Sequence, residues 1–167
     1  MCADIIKIQD SRRTFIDTLM ELREKDDKVI LILCDTGFNY VEEFEKKFPE
    51  SIKNFGVTEQ TSAVISAALA LSGFKVYFYS MIPFVVFRPF EMIRNIIYKH
   101  NANVKIIGVK GSEKYKMLGF SHNLLFEDEE VYHLKPYMKC YLPQTNKEVK
   151  KVILETYQIK EPIYIRL

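Results

Sequence analysis

Glycine is scarce in this chain: six residues in 167. No GxGxxG follows a strand-like run and no GxxxxGK[ST] occurs, so the glycine-built phosphate cradles of the commonest α/β enzymes are excluded. No GxSxG elbow is present either, which removes the usual α/β hydrolase nucleophile. Cysteine is also sparse. Cys2, Cys34 and Cys140 have neither CxxC spacing nor an even count, which argues against a disulfide framework or a zinc site. Charge of either sign nearly cancels, with 24 Lys and Arg against 22 Asp and Glu. That balance offers no basic field for nucleic acid or an anionic membrane surface. The longest apolar run, Met81–Phe87, falls far short of the roughly 20 residues that span a bilayer. The opening MCADIIKIQDSRR lacks the apolar centre of a secretory leader, so a cytoplasmic location is expected.

What is there describes one ordinary domain, residues 1–167, with 48% hydrophobic and 28% charged residues. Strand-length apolar blocks alternate with segments of helical period. Ser11–Lys25 carries Phe15, Ile16, Leu19 and Leu22 on one face and predicts an amphipathic helix capped by Asp10 or Ser11. Val29–Cys34 is apolar on both faces, as a central strand of a covered parallel sheet requires. A short helix over Glu42–Lys47 and an extended piece over Asn54–Thr58 follow. Glu59–Ser72 is a helix of small residues, expected to pack closely on several neighbours and to close at Gly73. Further strands are expected at Lys75–Ser80, Val104–Val109, Lys139–Leu142 and Pro162–Leu167. Helices are expected at Pro89–Lys99, Leu124–Leu134 and Asn146–Tyr157, with a long polar loop over Lys110–Asn123. The fold class is α/β: a three-layer sandwich with a mostly parallel central sheet.

One stretch narrows the reading. Asn54-Phe55-Gly56-Val57-Thr58-Glu59-Gln60 resembles the N-x-G-[VI]-x-E-Q signature of the pyrimidine-binding domain of transketolase-like thiamine diphosphate enzymes. Ile32-Leu33-Cys34-Asp35 is similar to the family's strand ending in Asp. Phe84 to Asn95, with Arg88, Glu91, Ile93 and Arg94 between, resembles F-x-x-x-R-x-x-[EQ]-x-I-R-N. Gly119-Phe120-Ser121-His122 stands where such proteins carry Gly-Pro-[ST]-His, and Glu161–Leu167 resembles the closing GP-x-Y-I-R-L strand. The motifs fall in the family's order from about Ser11 to Leu167.

The resemblance implies roles residue by residue. Glu59 would hydrogen-bond N1′ of the cofactor's pyrimidine ring, so that the ring's 4′-imino group can take the thiazolium proton. Phe84 would stack on that ring, with Phe87, Met81 and Asp35 lining its pocket. His122 would face the reacting carbon, and Arg12 and Lys110 would meet an anionic substrate group. Each has an ordinary structural reading too. A Glu suits a first helical turn, FVVF suits a core, and Asp35 suits a turn. His100, His133, Cys34 and Cys140 are read as structural. Leu118, Lys110 and Leu142 stand where the family has Asp, His and a phosphate-binding Arg, which implies a rebuilt substrate pocket around retained cofactor chemistry.

The family's GDG…N diphosphate and metal motif is absent. The resemblance therefore implies a split enzyme, in which a separate diphosphate-binding subunit holds the diphosphate through Mg²⁺ or Ca²⁺. The pair would form a heterodimer or a two-plus-two heterotetramer. The expected reaction is two-carbon ketol transfer on a sugar or keto substrate. A 2-keto acid decarboxylase or ligase subunit, and a non-catalytic regulatory partner of a complete transketolase-like enzyme, are the alternatives.

Overall fold

The computed structural model describes residues 10–110 and 117–167; Cys2 and the middle of the Lys110–Asn123 loop lie outside them. Six strands form one sheet in the order β2-β1-β3-β4-β6-β5: β1 Val29–Leu33, β2 Ile52–Asn54, β3 Lys75–Met81, β4 Val104–Val109, β5 Lys139–Tyr141 and β6 Ile163–Arg166. Every neighbouring pair is parallel. Parallel neighbours need crossovers, and the crossovers cover both faces. On one face α1 (Ser11–Arg23), α2 (Glu42–Lys47) and α6 (Asn146–Thr156) bury Phe15, Ile16, Leu19, Leu22, Phe44, Val149 and Ile153. On the other lie α3 (Glu59–Leu71), a helical stretch through Pro83–Phe87, α4 (Phe90–Met92) and Ile93–Tyr98, and α5 (Glu129–Leu134). The central strands β1, β3 and β4 are buried on both sides, which is why their sequences run apolar without alternation. The three-layer α/β expectation holds.

Four local expectations are corrected. The extended piece placed at Asn54–Thr58 is instead the strand Ile52–Asn54 followed by a turn, because Asn54 Oδ1 accepts from Gly56 N at 3.1 Å and Gly56 bends the chain at φ +67°. The helix placed at Leu124–Leu134 begins only at Glu129, after Asp128 at φ +62°. The helix placed at Pro89–Lys99, with Ile93, Ile96 and Ile97 expected inward, reaches back to Pro83 through a widened turn, and of the three Ile96 is only partly buried. Finally, α3 buries one face: Glu59, Ser62, Ala63, Ser66, Ala67 and Ala70 sit inward while Val64 and Leu71 are exposed. Its small residues let it approach the sheet closely, and they leave the outer face uncovered in the single chain. It ends at Gly73 as expected, with Phe74 N donating to Leu69 O.

Two polar knots tie the layers. Beneath β4 and β6, Glu130 is fully buried and its Oε1 accepts from Tyr164 Oη and Arg166 Nη1, each at 3.1 Å; Arg166 also pairs with Asp128. Gly108 makes this possible, since a Cβ there would meet Tyr164 Oη at 2.6 Å. At the opposite end of the sheet Asp26 takes hydrogen bonds from Lys75 Nζ at 2.8 Å and from Tyr157 Oη, joining the α1–β1 turn, β3 and the end of α6. Burial would raise the Asp26 carboxyl, but those two donors hold it at about 2.

Replacing Glu130 by Ala removes the acceptor shared by Tyr164 Oη and Arg166 Nη1 and leaves Arg166 with Asp128, and urea unfolding is expected to show a loss of about 1–3 kcal/mol. For Asp26 the folded value lies below the ordinary 3.8, so its contribution is complete above about pH 4 and fades as pH falls toward 2. Melts at pH 4 and pH 2 should therefore show a smaller acid loss in Asp26→Asn than in the parent chain.

Candidate functional site

All six strands end at the same edge of the sheet, and the chain order reverses between β1 and β3: β1 is followed by β2 on one side and flanked by β3 on the other. Loops leaving the carboxyl ends of two such strands part, and the crevice they leave is where open α/β sheets bind ligands. A cleft of about 520 Å³ opens there. Of the residues singled out from sequence, it gathers Arg12, Asp35, Glu59, Met81, Phe84 and His122.

The clasp that shapes the floor is local. Asn54 Oδ1 accepts from Asp35 N at 3.0 Å as well as from Gly56 N, tying the end of β2 to the end of β1. The turn at Gly56 then delivers Glu59 as the first residue of α3, only 4% exposed. Arg88 Nη1 donates to Glu59 Oε1 at 2.7 Å. The same guanidinium lies 3.8 Å above the Phe84 ring, and the His122 ring stands edge-on to Phe84 at 4.8 Å. His122 Nδ1 is 3.0 Å from Ser121 Oγ. Glu59, Arg88, Phe84 and His122 thus form one contiguous wall.

Arg12 enters from the first turn of α1. Its Nε and Nη2 donate to Asp10 Oδ2 at 3.3 and 2.9 Å, and its guanidinium lies over the Tyr40 ring at 4.3 Å. Tyr40 Oη donates to the same Asp10 oxygen at 2.6 Å. Burial works against the Asp10 charge, but the Tyr40, Arg13 and Arg12 hydrogen bonds bring its carboxyl below the ordinary range. Asp35 is exposed at the mouth with φ +49°. Cys34 closes the end of β1, donating to Ser62 Oγ at 3.2 Å, and burial pushes its thiol up, so it is a poor nucleophile. Ser80 also lines the cleft; its buried hydroxyl has no hydrogen-bond partner among the described residues.

Two expected site residues lie elsewhere. Phe87, half-buried, turns away in the widened helical stretch and packs against the edge of His133 at 5.6 Å. Lys110 N donates to Leu167 O, which sets it on the β6 side of the sheet edge. Its side chain pairs there with Glu127 at 3.0 Å, beside a separate depression of about 430 Å³. Leu118, where the family has Asp, is on the cleft rim. A larger depression, about 790 Å³, lies at the β5 edge among Tyr98, Tyr137 and Tyr141 and holds none of the expected residues. Sequence reasoning quoted Arg88 as a motif residue without giving it a role, and did not single out Ser80 or Tyr40. For Arg88 the signal was present, because four residues after Phe84 is the spacing that puts two side chains on one helical face.

The sequence profile described as "Transketolase, pyrimidine binding domain" matches residues 8–167. The chain is 34% identical over 158 residues to an apulose-4-phosphate transketolase subunit of Phocaeicola vulgatus, covering 93% of this chain and 50% of that one. It is 31% identical over 157 residues to a putative transketolase C-terminal section of Methanocaldococcus jannaschii, covering 93% and 49%. Among solved structures, "Split gene transketolase, inactive beta4 tetramer" superposes with a TM-score of 0.82 at 26% identity, covering 94% of this chain and 50% of that one. The chain therefore spans about half the length of the curated relatives it matches.

Proposed function

The chain belongs to the transketolase pyrimidine-binding domain family, and from that premise we propose that it is the cofactor-activating subunit of a split, thiamine diphosphate-dependent, transketolase-like transferase. The observation that carries the reading is a buried carboxyl, Glu59, set at the floor of a cleft beside an aromatic face, Phe84. The cleft fits the ring end of the cofactor. It offers a flat apolar wall in Phe84 and Met81, a carboxyl at hydrogen-bonding depth in Glu59, and a buried Ser80 hydroxyl with no partner among the described residues. Among the described residues no group of three His, Cys, Asp or Glu could hold a metal ion. In the proposed enzyme a second, diphosphate-binding subunit would hold the diphosphate with Mg²⁺ or Ca²⁺, joined as a heterodimer or a two-plus-two heterotetramer. That the Phocaeicola vulgatus relative is itself named as a subunit supports the same division.

Bound thiamine diphosphate would supply a carbon nucleophile for a substrate carbonyl and an electron sink for the fragment it carries. Glu59 would hold the proton at N1′ of the ring, and its low exposure would shield that hydrogen bond from water. Phe84 and Met81 hold the ring face, and orientation is their contribution. His122, edge-on to Phe84, is positioned to exchange a proton with a substrate oxygen above the ring. Arg12, held in place by Asp10 and Tyr40, presents a cation at the other side of the cleft for an anionic end of a sugar or keto substrate. The reaction proposed is two-carbon ketol transfer.

The test is reconstitution with the diphosphate-binding subunit, followed by steady-state assays with phosphorylated ketoses as donors. Glu59→Gln keeps the shape and loses the proton-sharing carboxyl, and kcat is expected to fall about 10²–10⁴-fold. A Gln variant of undiminished activity would sink the proposal and favour a non-catalytic partner role.

A further inference from the structure

The cleft already contains a flat cation. Arg88 donates to Glu59 Oε1 at 2.7 Å and its guanidinium lies 3.8 Å over the Phe84 ring. The cofactor's aminopyrimidine, as placed above, would make the same two interactions: an N–H directed at the Glu59 carboxyl and a planar face on Phe84. A guanidinium and a protonated aminopyrimidine are both planar, both positive and both edged with N–H donors. The two cannot occupy the same face of Phe84 at once.

Room exists for the guanidinium to leave. A second depression, about 440 Å³, is lined by Val57, Thr58, Gln60 and Thr61 and shares Glu59 and Arg88 with its wall. The Arg88 side chain therefore stands between two openings. Gln60 Nε2 donates to Arg88 O at 3.2 Å and anchors its backbone, whereas the side chain is 40% exposed. Rotation about side-chain bonds alone would carry the guanidinium into the second opening.

We propose that Arg88 is a built-in stand-in for the aminopyrimidine, occupying the Glu59–Phe84 slot until the ring displaces it toward the Val57–Thr61 side. The inference rests on the cofactor-site reading and adds an exchange to it. While the slot is empty of ligand, Arg88 neutralises the Glu59 charge, which would be costly to leave buried and unpaired. When the ring arrives, the proton shared with N1′ takes over that task and Arg88 is released. Arg88 is thus a positioning residue for Glu59 and a competitor of the ring. Affinity for the ring is reduced by the fraction of chains in which Arg88 fills the slot.

The experiment is a ligand-observed NMR titration of the full chain with 4-amino-5-hydroxymethyl-2-methylpyrimidine, run on the parent, Arg88→Ala, Arg88→Lys and Glu59→Gln. Removing the competitor is expected to tighten binding by about tenfold in Arg88→Ala, the usual size of a part-exposed ion pair plus a cation–π contact. Arg88→Lys keeps the charge without the planar face and should fall between; it also serves if the Ala variant does not fold. Millimolar guanidinium should weaken pyrimidine binding to Arg88→Ala and leave the parent unchanged. Equal or weaker binding by both Arg88 variants overturns the stand-in, while loss of binding in Glu59→Gln in the same titration keeps the cofactor-site reading. No binding by any of the four proteins overturns the stand-in, while the cofactor-site reading is then decided by the kcat of Glu59→Gln in the reconstituted complex.

Discussion

Parallel pairing of six strands constrains everything else in this molecule. Each connection must cross over a face of the sheet before the next strand begins, so both faces acquire helices and the central strands are largely removed from water. The same constraint sends every carboxyl end to one edge. Where the order of connection reverses, between β1 and β3, the loops cannot close over one another. The cleft that holds Glu59, Phe84 and His122 is a consequence of topology before it is a consequence of chemistry.

Three acidic groups of this fold are drawn out of solvent together with a cation. Glu130 is reached by Arg166 and Tyr164, Asp26 by Lys75 and Tyr157, and Glu59 by Arg88. The three groups differ in what surrounds the cation. Arg166 is about 10% exposed and belongs to a strand, so its pairing is a permanent part of the core. Arg88 is 40% exposed, sits on a widened helical turn and borders two openings. A buried carboxyl whose counter-ion can move is a reusable site; one whose counter-ion cannot is scaffolding. That contrast separates Glu59 from Glu130, although both are acidic residues in the first turn of a helix with almost no exposure.

The make-up of the cleft suits the proposed division between two subunits. Its rim carries exposed apolar side chains, Phe38 at 62% and Val57 at 63%, next to a floor of polar groups. A half-site of this kind is consistent with a second subunit completing the pocket, as the proposed function requires. Leu118, which stands where the resemblance implies an Asp, falls on that rim, which the proposed function assigns to the substrate side.

Much of this was legible in the amino-acid order. Uninterrupted apolar runs such as Val29–Leu33 announce a doubly covered parallel strand, and the spacing of Phe15, Ile16, Leu19 and Leu22 announces the face that α1 buries. The Asn54–Gln60 motif points to Glu59 because Asn54 and Gly56 are residues that make a turn, and the turn is local. What sequence could not decide depends on distance in space. Phe84 and Phe87 read alike as neighbours in one apolar run, yet a widened helical turn sends only Phe84 into the cleft. Lys110 and Arg12 read alike as cations for an anionic substrate group, yet the strand order sets Lys110 on the β6 side, beside Glu127. Arg88 is 29 positions from Glu59, and nothing in local chemistry pairs them. Local order determined the elements and the turn that presents Glu59; only the packing of helix against sheet decided which cation it meets, because that choice is made by three-dimensional approach and not by sequence spacing.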